Sequence, residues 1–259
     1  METVKKPLIL VTNDDGIYAS GLAMLIETVQ AYGDIIVVAP DSPRSAQSHA
    51  ITVSEPIRMM ILEEEKHRRI YTCSGTPVDC VKLAISHLCD KAPDLILSGI
   101  NHGANTSISV LYSGTMAAAV EGCFYGIPAI GFSLDDHSPT ADFSAFPALI
   151  NKLVTKVLAE GMLPGVCLNV NVPAVPEEEI KGIKWCRQAK GAWSEVFERR
   201  EDPYKREYFW LTGSFVSSEP EATDTDEWAV NNGYVSITTV QTDMTSYSAL
   251  EDYSKNWKV

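Results

Sequence analysis

Short apolar runs alternate with amphipathic stretches through residue 173, and this spacing predicts strands alternating with helices. Leu8-Ile9-Leu10-Val11 reads as a strand over 8–13, buried on both faces, and Asn13-Asp14-Asp15-Gly16 stops it. Leu22, Leu25, Ile26 and Val29 share one helical face that Gly33 closes, and 35–39 is a second buried strand. Residues 8–39 thus make one β-α-β unit, for which a right-handed parallel crossover is expected. A polar loop over 40–49 leads to two β-like runs, 51–54 and 57–62, and a charged tip at 63–69 turns the chain into a hairpin with 70–73.

Thr76-Pro77-Val78-Asp79 marks a helix start, with Thr as N-cap, Pro in the first turn and an acid after it. Val81, Ala84, Ile85 and Leu88 supply its buried face. A strand at 94–98 opens into the loop Gly99-Ile100-Asn101-His102-Gly103-Ala104-Asn105. A small-residue helix starts near Ser113-Gly114-Thr115, a strand follows at 129–132, and Phe143, Phe146, Ile150, Leu153, Val154 and Val157 describe a long amphipathic helix before strand 166–170. The pattern predicts a doubly wound α/β sandwich with a core over about 1–175. Residues 181–210 then hold eight basic residues and several aromatics in β-like alternation, which reads as an extended hairpin off the core. A late strand at 234–238 and a terminal helix at 246–257 complete a C-terminal part over about 224–259, all within one unit of 259 residues.

Charge narrows the partners. A formal charge of −13 argues against a nucleic-acid polymer, whose binding rests on Lys and Arg neutralising phosphates. It leaves room for a small phosphorylated ligand held through a metal ion. No apolar run approaches membrane-spanning length, and the charged leader Met1-Glu2-Thr3-Val4-Lys5-Lys6 runs directly into a strand, so no membrane partner and no secretion signal are expected. The six cysteines include no C-x-x-C pair and read as reduced core residues of a cytoplasmic protein.

Loops after parallel strands emerge together at the carboxyl edge of the sheet, where α/β folds bind ligands. Three such loops bring Asp14 and Asp15, Ser45, and Asn101 to that edge. Their donors are hard oxygens, which suit Mg²⁺, Mn²⁺ or Ca²⁺, and a divalent ion would relieve the repulsion of two adjacent carboxylates. The five histidines lack zinc-ligand spacing and read as surface or capping residues. Asn13, Gly103, Asn105, Ser113, Gly114 and Thr115 offer amides, hydroxyls and a helix N-terminus beside the carboxylates, a setting for phosphate, although Ser113 and Thr115 also suit simple helix capping. An Asp-x-Asp nucleophile pair is missing, since Gly16 stands two beyond Asp14, and no P-loop, dinucleotide fingerprint or nucleophile elbow occurs. Metal-activated water is the expected nucleophile.

Five ordered motifs resemble the survival protein SurE family. They are Val11-Thr12-Asn13-Asp14-Asp15-Gly16, Ala39-Pro40-Asp41 with Arg44-Ser45, Gly75-Thr76-Pro77-Val78-Asp79-Cys80, Ser98-Gly99-Ile100-Asn101-His102-Gly103-Ala104-Asn105, and Tyr112-Ser113-Gly114-Thr115; Gly233-Tyr234-Val235-Ser236-Ile237-Thr238 also fits. The resemblance spans nearly the whole chain and is weakest over about 175–230. It implies a Rossmann-like core with a projecting hairpin. The implied activity is divalent-metal-dependent hydrolysis of nucleoside 5′- and 3′-monophosphates, with one Mg²⁺ or Mn²⁺ per subunit. It implies Asp14, Asp15, Ser45 and Asn101 as metal ligands, and homodimers or homotetramers that exchange C-terminal segments. Asp243 matches an acid proposed to assist catalysis in the family, with Asp14 as the other acid–base candidate. Tyr247 stands where the family often has His, and a phenol with pKa near 10 is no base at neutral pH. A broader phosphomonoesterase or short-chain polyphosphatase, and a non-catalytic nucleotide sensor, are the competing expectations.

Overall fold

The computed structural model describes residues 6–257, and the leader over residues 1–5 lies outside the described residues. The chain builds a nine-stranded sheet in the order β3-β4-β2-β1-β5-β6-β7-β11-β8. Its strands are β1 (Leu8–Thr12), β2 (Asp34–Pro40), β3 (Met59–Glu64), β4 (Arg68–Cys73), β5 (Leu95–His102), β6 (Ala129–Leu134), β7 (Val166–Val172), β8 (Ile183–Cys186) and β11 (Val235–Gln241). β9 (Gly191–Glu201) and β10 (Glu207–Ser217) form a separate antiparallel hairpin. Pairing in the large sheet is parallel except between β3 and β4 and between β7 and β11.

Helices cover both faces, which is why the central strands are apolar throughout and do not alternate. One layer of core joins Ile9, Val11 and Leu97 to α1 (Ser20–Val29) and α4 (Phe146–Glu160); the other joins Leu10, Ile36 and Ile96 to α2 (Pro77–Leu83) and α3 (Gly114–Phe124). The arrangement is the doubly wound, Rossmann-like α/β sandwich, and the chain leaves β1 in both directions, so the carboxyl ends of β1 and β5 meet at the topological switch point. Thr76 caps α2 reciprocally: its hydroxyl accepts from Asp79 N at 3.1 Å, and Asp79 Oδ2 accepts from Thr76 N at 2.9 Å. Cys73, Cys80, Cys123 and Cys167 lie buried in the second layer, and all six cysteines are free. Among the described residues no helix is long and apolar enough to cross a membrane.

Three boundaries differ from the sequence reading. The run over 51–54 is not a strand: Ile51 and Val53 are exposed, and Thr52 N turns to the Asp79 carboxylate at 3.2 Å instead of to a neighbouring strand. The strand expected to end at 98 continues to His102, with a register shift against β6 between Ser98 and Asn101. The hairpin runs over 191–217 and not 181–210, because β8 is drawn into the main sheet beside β11. The remaining helices, α5 (Asp226–Asn231) and α6 (Tyr247–Asn256), flank β11 in sequence.

Candidate functional site

Thr12 pairs with Ser98, so the chain beyond β1 turns over the end of β5. Asn13 pins that turn by donating its Nδ2 to Gly16 O at 2.9 Å, and Gly16 takes a left-handed φ of 97° that favours glycine. Asp14 then points at the start of α3. Its carboxylate accepts from the Thr115 hydroxyl, and a Cβ on Gly114 would stand 2.7 Å from Asp14 Cβ and 2.9 Å from its Oδ2. Glycine at 114 is what lets the carboxylate sit against the first turn of α3.

The other candidates gather around this contact. Arg44 N donates to Asp14 O at 2.7 Å, which sets Ser45, the next residue, beside the acidic turn. Asp15 Oδ2 accepts from His102 N at 3.0 Å, tying the turn to the end of β5. Asn101 donates its Nδ2 to Gly103 O at 2.7 Å, so its amide oxygen remains as the donor atom for a cation. Gly103 has φ 100°, and the His137 ring packs so close that a Cβ at this position would stand 2.1 Å from its Cε1. Ser113 caps α3, its Oγ accepting from Met116 N at 3.0 Å.

Both carboxylates are raised. Burial pushes Asp14 from 3.8 up to about 6, opposed by the Thr115 hydroxyl and reinforced by the neighbouring Asp15 charge. Asp15 is raised by burial against the His102 amide, which favours its ionised form. Asn13 Oδ1, Thr12 Oγ1 and Ser98 Oγ are buried at the same strand ends and find no hydrogen-bond partner among the described residues. Two raised carboxylates, an amide oxygen, a hydroxyl and orphaned oxygens fit a hard divalent cation, which supplies the missing positive charge.

Asn105 is anchored more deeply than expected. Its N donates to Asn171 Oδ1 at 2.7 Å, its Nδ2 to Ser133 Oγ at 2.8 Å, and its carbonyl accepts from Asn169 Nδ2 at 2.8 Å. Asn169, Asn171 and Ser133 escaped the sequence reading. Their signal was present, since amides set within Leu168-Asn169-Val170-Asn171-Val172 must be hydrogen-bonded if that strand is buried.

Asp243 makes its side-chain hydrogen bonds elsewhere. It lies exposed beyond β11, accepting from Thr245 N at 2.9 Å and from the Tyr247 hydroxyl. Hydrogen bonds from Thr245 and Tyr247 hold it down at about 2. It does line a cavity of about 770 Å³ that Ser113, His49, Phe124 and Arg187 also wall.

The geometry accords with what the chain is similar to. The model of the family described as survival protein SurE matches residues 9–195. The 5′-nucleotidase SurE of Flavobacterium psychrophilum is 52% identical over 255 residues, covering 98% of each chain. The 5′-nucleotidase SurE of Christiangramia forsetii is 53% identical over 258 residues, again with 98% of each covered. A crystal structure of the SurE protein from Aquifex aeolicus superposes with a TM-score of 0.81 at 38% identity, covering 96% of this chain and 99% of that one. With more than two-thirds of its length inside the family model and whole-chain relatives at half identity, this chain belongs to the survival protein SurE family.

Proposed function

We propose that the protein is a divalent-metal-dependent nucleotidase that hydrolyses nucleoside 5′- and 3′-monophosphates to nucleoside and phosphate. The observation that carries this reading is the contact of Asp14 with Gly114 and Thr115, which joins an acidic turn to a helix N-terminus. Such a junction binds a cation and a phosphate side by side. Asp14, Asp15, Ser45 and Asn101 would hold one Mg²⁺ or Mn²⁺. When bound, that ion polarises the phosphoryl oxygens and lowers the pKa of water beside it.

The remaining work falls to the chain. Ser113 and Gly114 hold phosphate oxygens at the positive end of α3, while Asn13, Gly103 and Asn105 fix the backbone of the strand-end turns. The Thr115 hydroxyl fixes one oxygen of Asp14, which leaves this carboxylate oriented to take a proton from the attacking water. Asp243 stays ionised across the neutral range, and its hydrogen bond from Tyr247 holds the phenol pKa up, so neither residue is well suited to donate a proton to the departing nucleoside.

Assembly belongs to the same reading. The hairpin exposes Phe197, Phe209, Trp210 and Leu211, and α6 exposes Tyr247, Leu250 and Tyr253. These apolar surfaces support a homodimer or homotetramer built through the hairpin and the C-terminal segment.

Phosphate release from a panel of nucleoside monophosphates, sugar phosphates and short polyphosphates tests the function, run with each of several divalent ions. Multiple turnovers on nucleotides that stop on chelation and return with Mn²⁺ or Mg²⁺ are expected. Activity that survives chelation, or returns only with Zn²⁺, overturns the site; binding without turnover makes the protein a sensor.

A further inference from the structure

The loop over 41–52 carries Ser45 and has a few bonds of its own: Ser42 Oγ donates to Asp41 Oδ1 at 2.8 Å, and Ala50 N to Gln47 O at 3.3 Å. Ala46 and Ser48 both adopt left-handed backbone, with φ of 59° and 54°, a region that costs a non-glycine residue roughly 1 kcal/mol or more. Backbone held in that region persists where the surrounding structure also fixes it. Three attachments do so on the α3 side. Ser48 N donates to Tyr112 O at 3.0 Å, Ser48 Oγ donates to Leu111 O at 2.6 Å, and His49 Nε2 bonds Glu121 Oε2 at 2.9 Å. The His49 ring also meets Phe124 edge-on, with centroids 5.6 Å apart.

Glu121 is the unusual member. It is a carboxylate only 2% exposed, in a helix whose other buried residues are Gly, Thr, Met, Ala and Cys. Burying a charge is costly unless it is paired on both oxygens. Here Lys82 Nζ donates to Oε1 at 2.6 Å while His49 takes Oε2. Burial pushes the carboxyl up, but the bonds from His49 and Lys82 more than offset this and hold it below its ordinary value.

We propose that Glu121 is a positioning residue which, through His49, clamps the Ser45 loop to α3 and so fixes the spacing between the cation ligands and the phosphate-binding helix start. The inference rests on the proposed metal site. Leu111, Tyr112 and Glu121 bracket Ser113, so the loop and the start of α3 move as one jaw. Lys82 serves a different end: it joins α2 to α3 and keeps the carboxylate charged, without touching the loop.

Four variants separate positioning from bracing. In His49→Ala the loop loses its bond to Glu121, and Mn²⁺ affinity, read by the free-Mn²⁺ paramagnetic resonance signal, should fall about tenfold or more, as for other groups that support a metal ligand. The kcat on a nucleoside monophosphate should fall with it, while KM measured at saturating Mn²⁺ changes little. His49→Gln, whose amide nitrogen reaches about as far as Nε2, should recover most of both. Glu121→Gln should resemble His49→Ala. Lys82→Met should lower Tm and leave Mn²⁺ affinity close to wild type.

Deuterium uptake by the chelated protein tests the clamp even if the chain proves to have no nucleotidase activity. The segment over 44–50 should exchange faster in His49→Ala, and the β1 and β5 segments should not. Wild-type uptake over 44–50 in that variant overturns the clamp, and so does a Lys82→Met loss of Mn²⁺ affinity equal to that of His49→Ala. A wild-type protein that binds no Mn²⁺ yet shows the uptake difference keeps the clamp and overturns the metal site.

Discussion

Replacing Asp14 with Asn should stabilise the metal-free protein while removing its activity. Asp14 is 3% exposed, and burial, opposed by the Thr115 hydroxyl and reinforced by Asp15, lifts its pKa from 3.8 to about 6. The unfolded chain releases this proton near 3.8, the folded protein near 6, so in between the folded state binds more protons. Stability therefore falls as pH rises through that window, and the loss is complete above it. About two pKa units at about 1.4 kcal/mol each come to about 3 kcal/mol. Asn carries no charge to desolvate, but it exchanges a charge-assisted bond from Thr115 for a neutral one, which costs about 1 kcal/mol. The expected net gain near neutral pH is about 1–3 kcal/mol, or roughly 2–10 °C in Tm for a chain of this size. Urea unfolding with excess chelator, near pH 8 and again near pH 4.5, measures it. The gain should be large at the higher pH and shrink at the lower one, and Mn²⁺ should raise the wild-type midpoint but not the variant's. A variant less stable than wild type near pH 8, or a gain undiminished near pH 4.5, would refute the assignment of Asp14 as a buried, strained carboxylate.

Other outcomes follow from the same geometry. Gly114→Ala places a methyl group 2.7 Å from Asp14 Cβ, so it should keep the helical circular-dichroism signal yet lose about a hundredfold in phosphate release; near-normal turnover would mean Asp14 can shift freely. Tyr247→Phe should change turnover on AMP little, because the phenol hydroxyl is engaged in a hydrogen bond to Asp243, whereas a large loss confined to AMP and absent on an aryl phosphate would make Tyr247 the acid. Light scattering at micromolar concentration should find a dimer or larger, and a compact monomer would sink the role given to the hairpin and α6 aromatics.

What the amino-acid sequence determines by itself is whatever depends on near neighbours. The apolar runs of β1, β2 and β5, the acidic stop after β1, the reciprocal cap at Thr76 and Asp79, and the capped start of α3 at Ser113 are all set within a few residues. Backbone conformation there follows from local sterics and side-chain hydrogen bonds. Alternating strands and helices then restrict the fold, because parallel strands must send their following loops to one edge. That is why the residues after β1 and β2, Asp14, Asp15 and Ser45 among them, fall on the same edge as the end of β5.

The tertiary structure decided what depends on distant partners. Asn105 is fixed by Asn169 and Asn171, 64 and 66 residues away, and an isolated strand with two amides does not reveal whether they face water or a buried carbonyl. The short β8 joins the main sheet only because β11 offers it a parallel edge, which moved the hairpin boundary from 181 to 191. Glu121 looks like an ordinary solvated position on α3 until His49 and Lys82, 72 and 39 residues away, close over it. Burial of a polar group is a property of everything packed around it, and the neighbours that satisfy it are chosen by the fold.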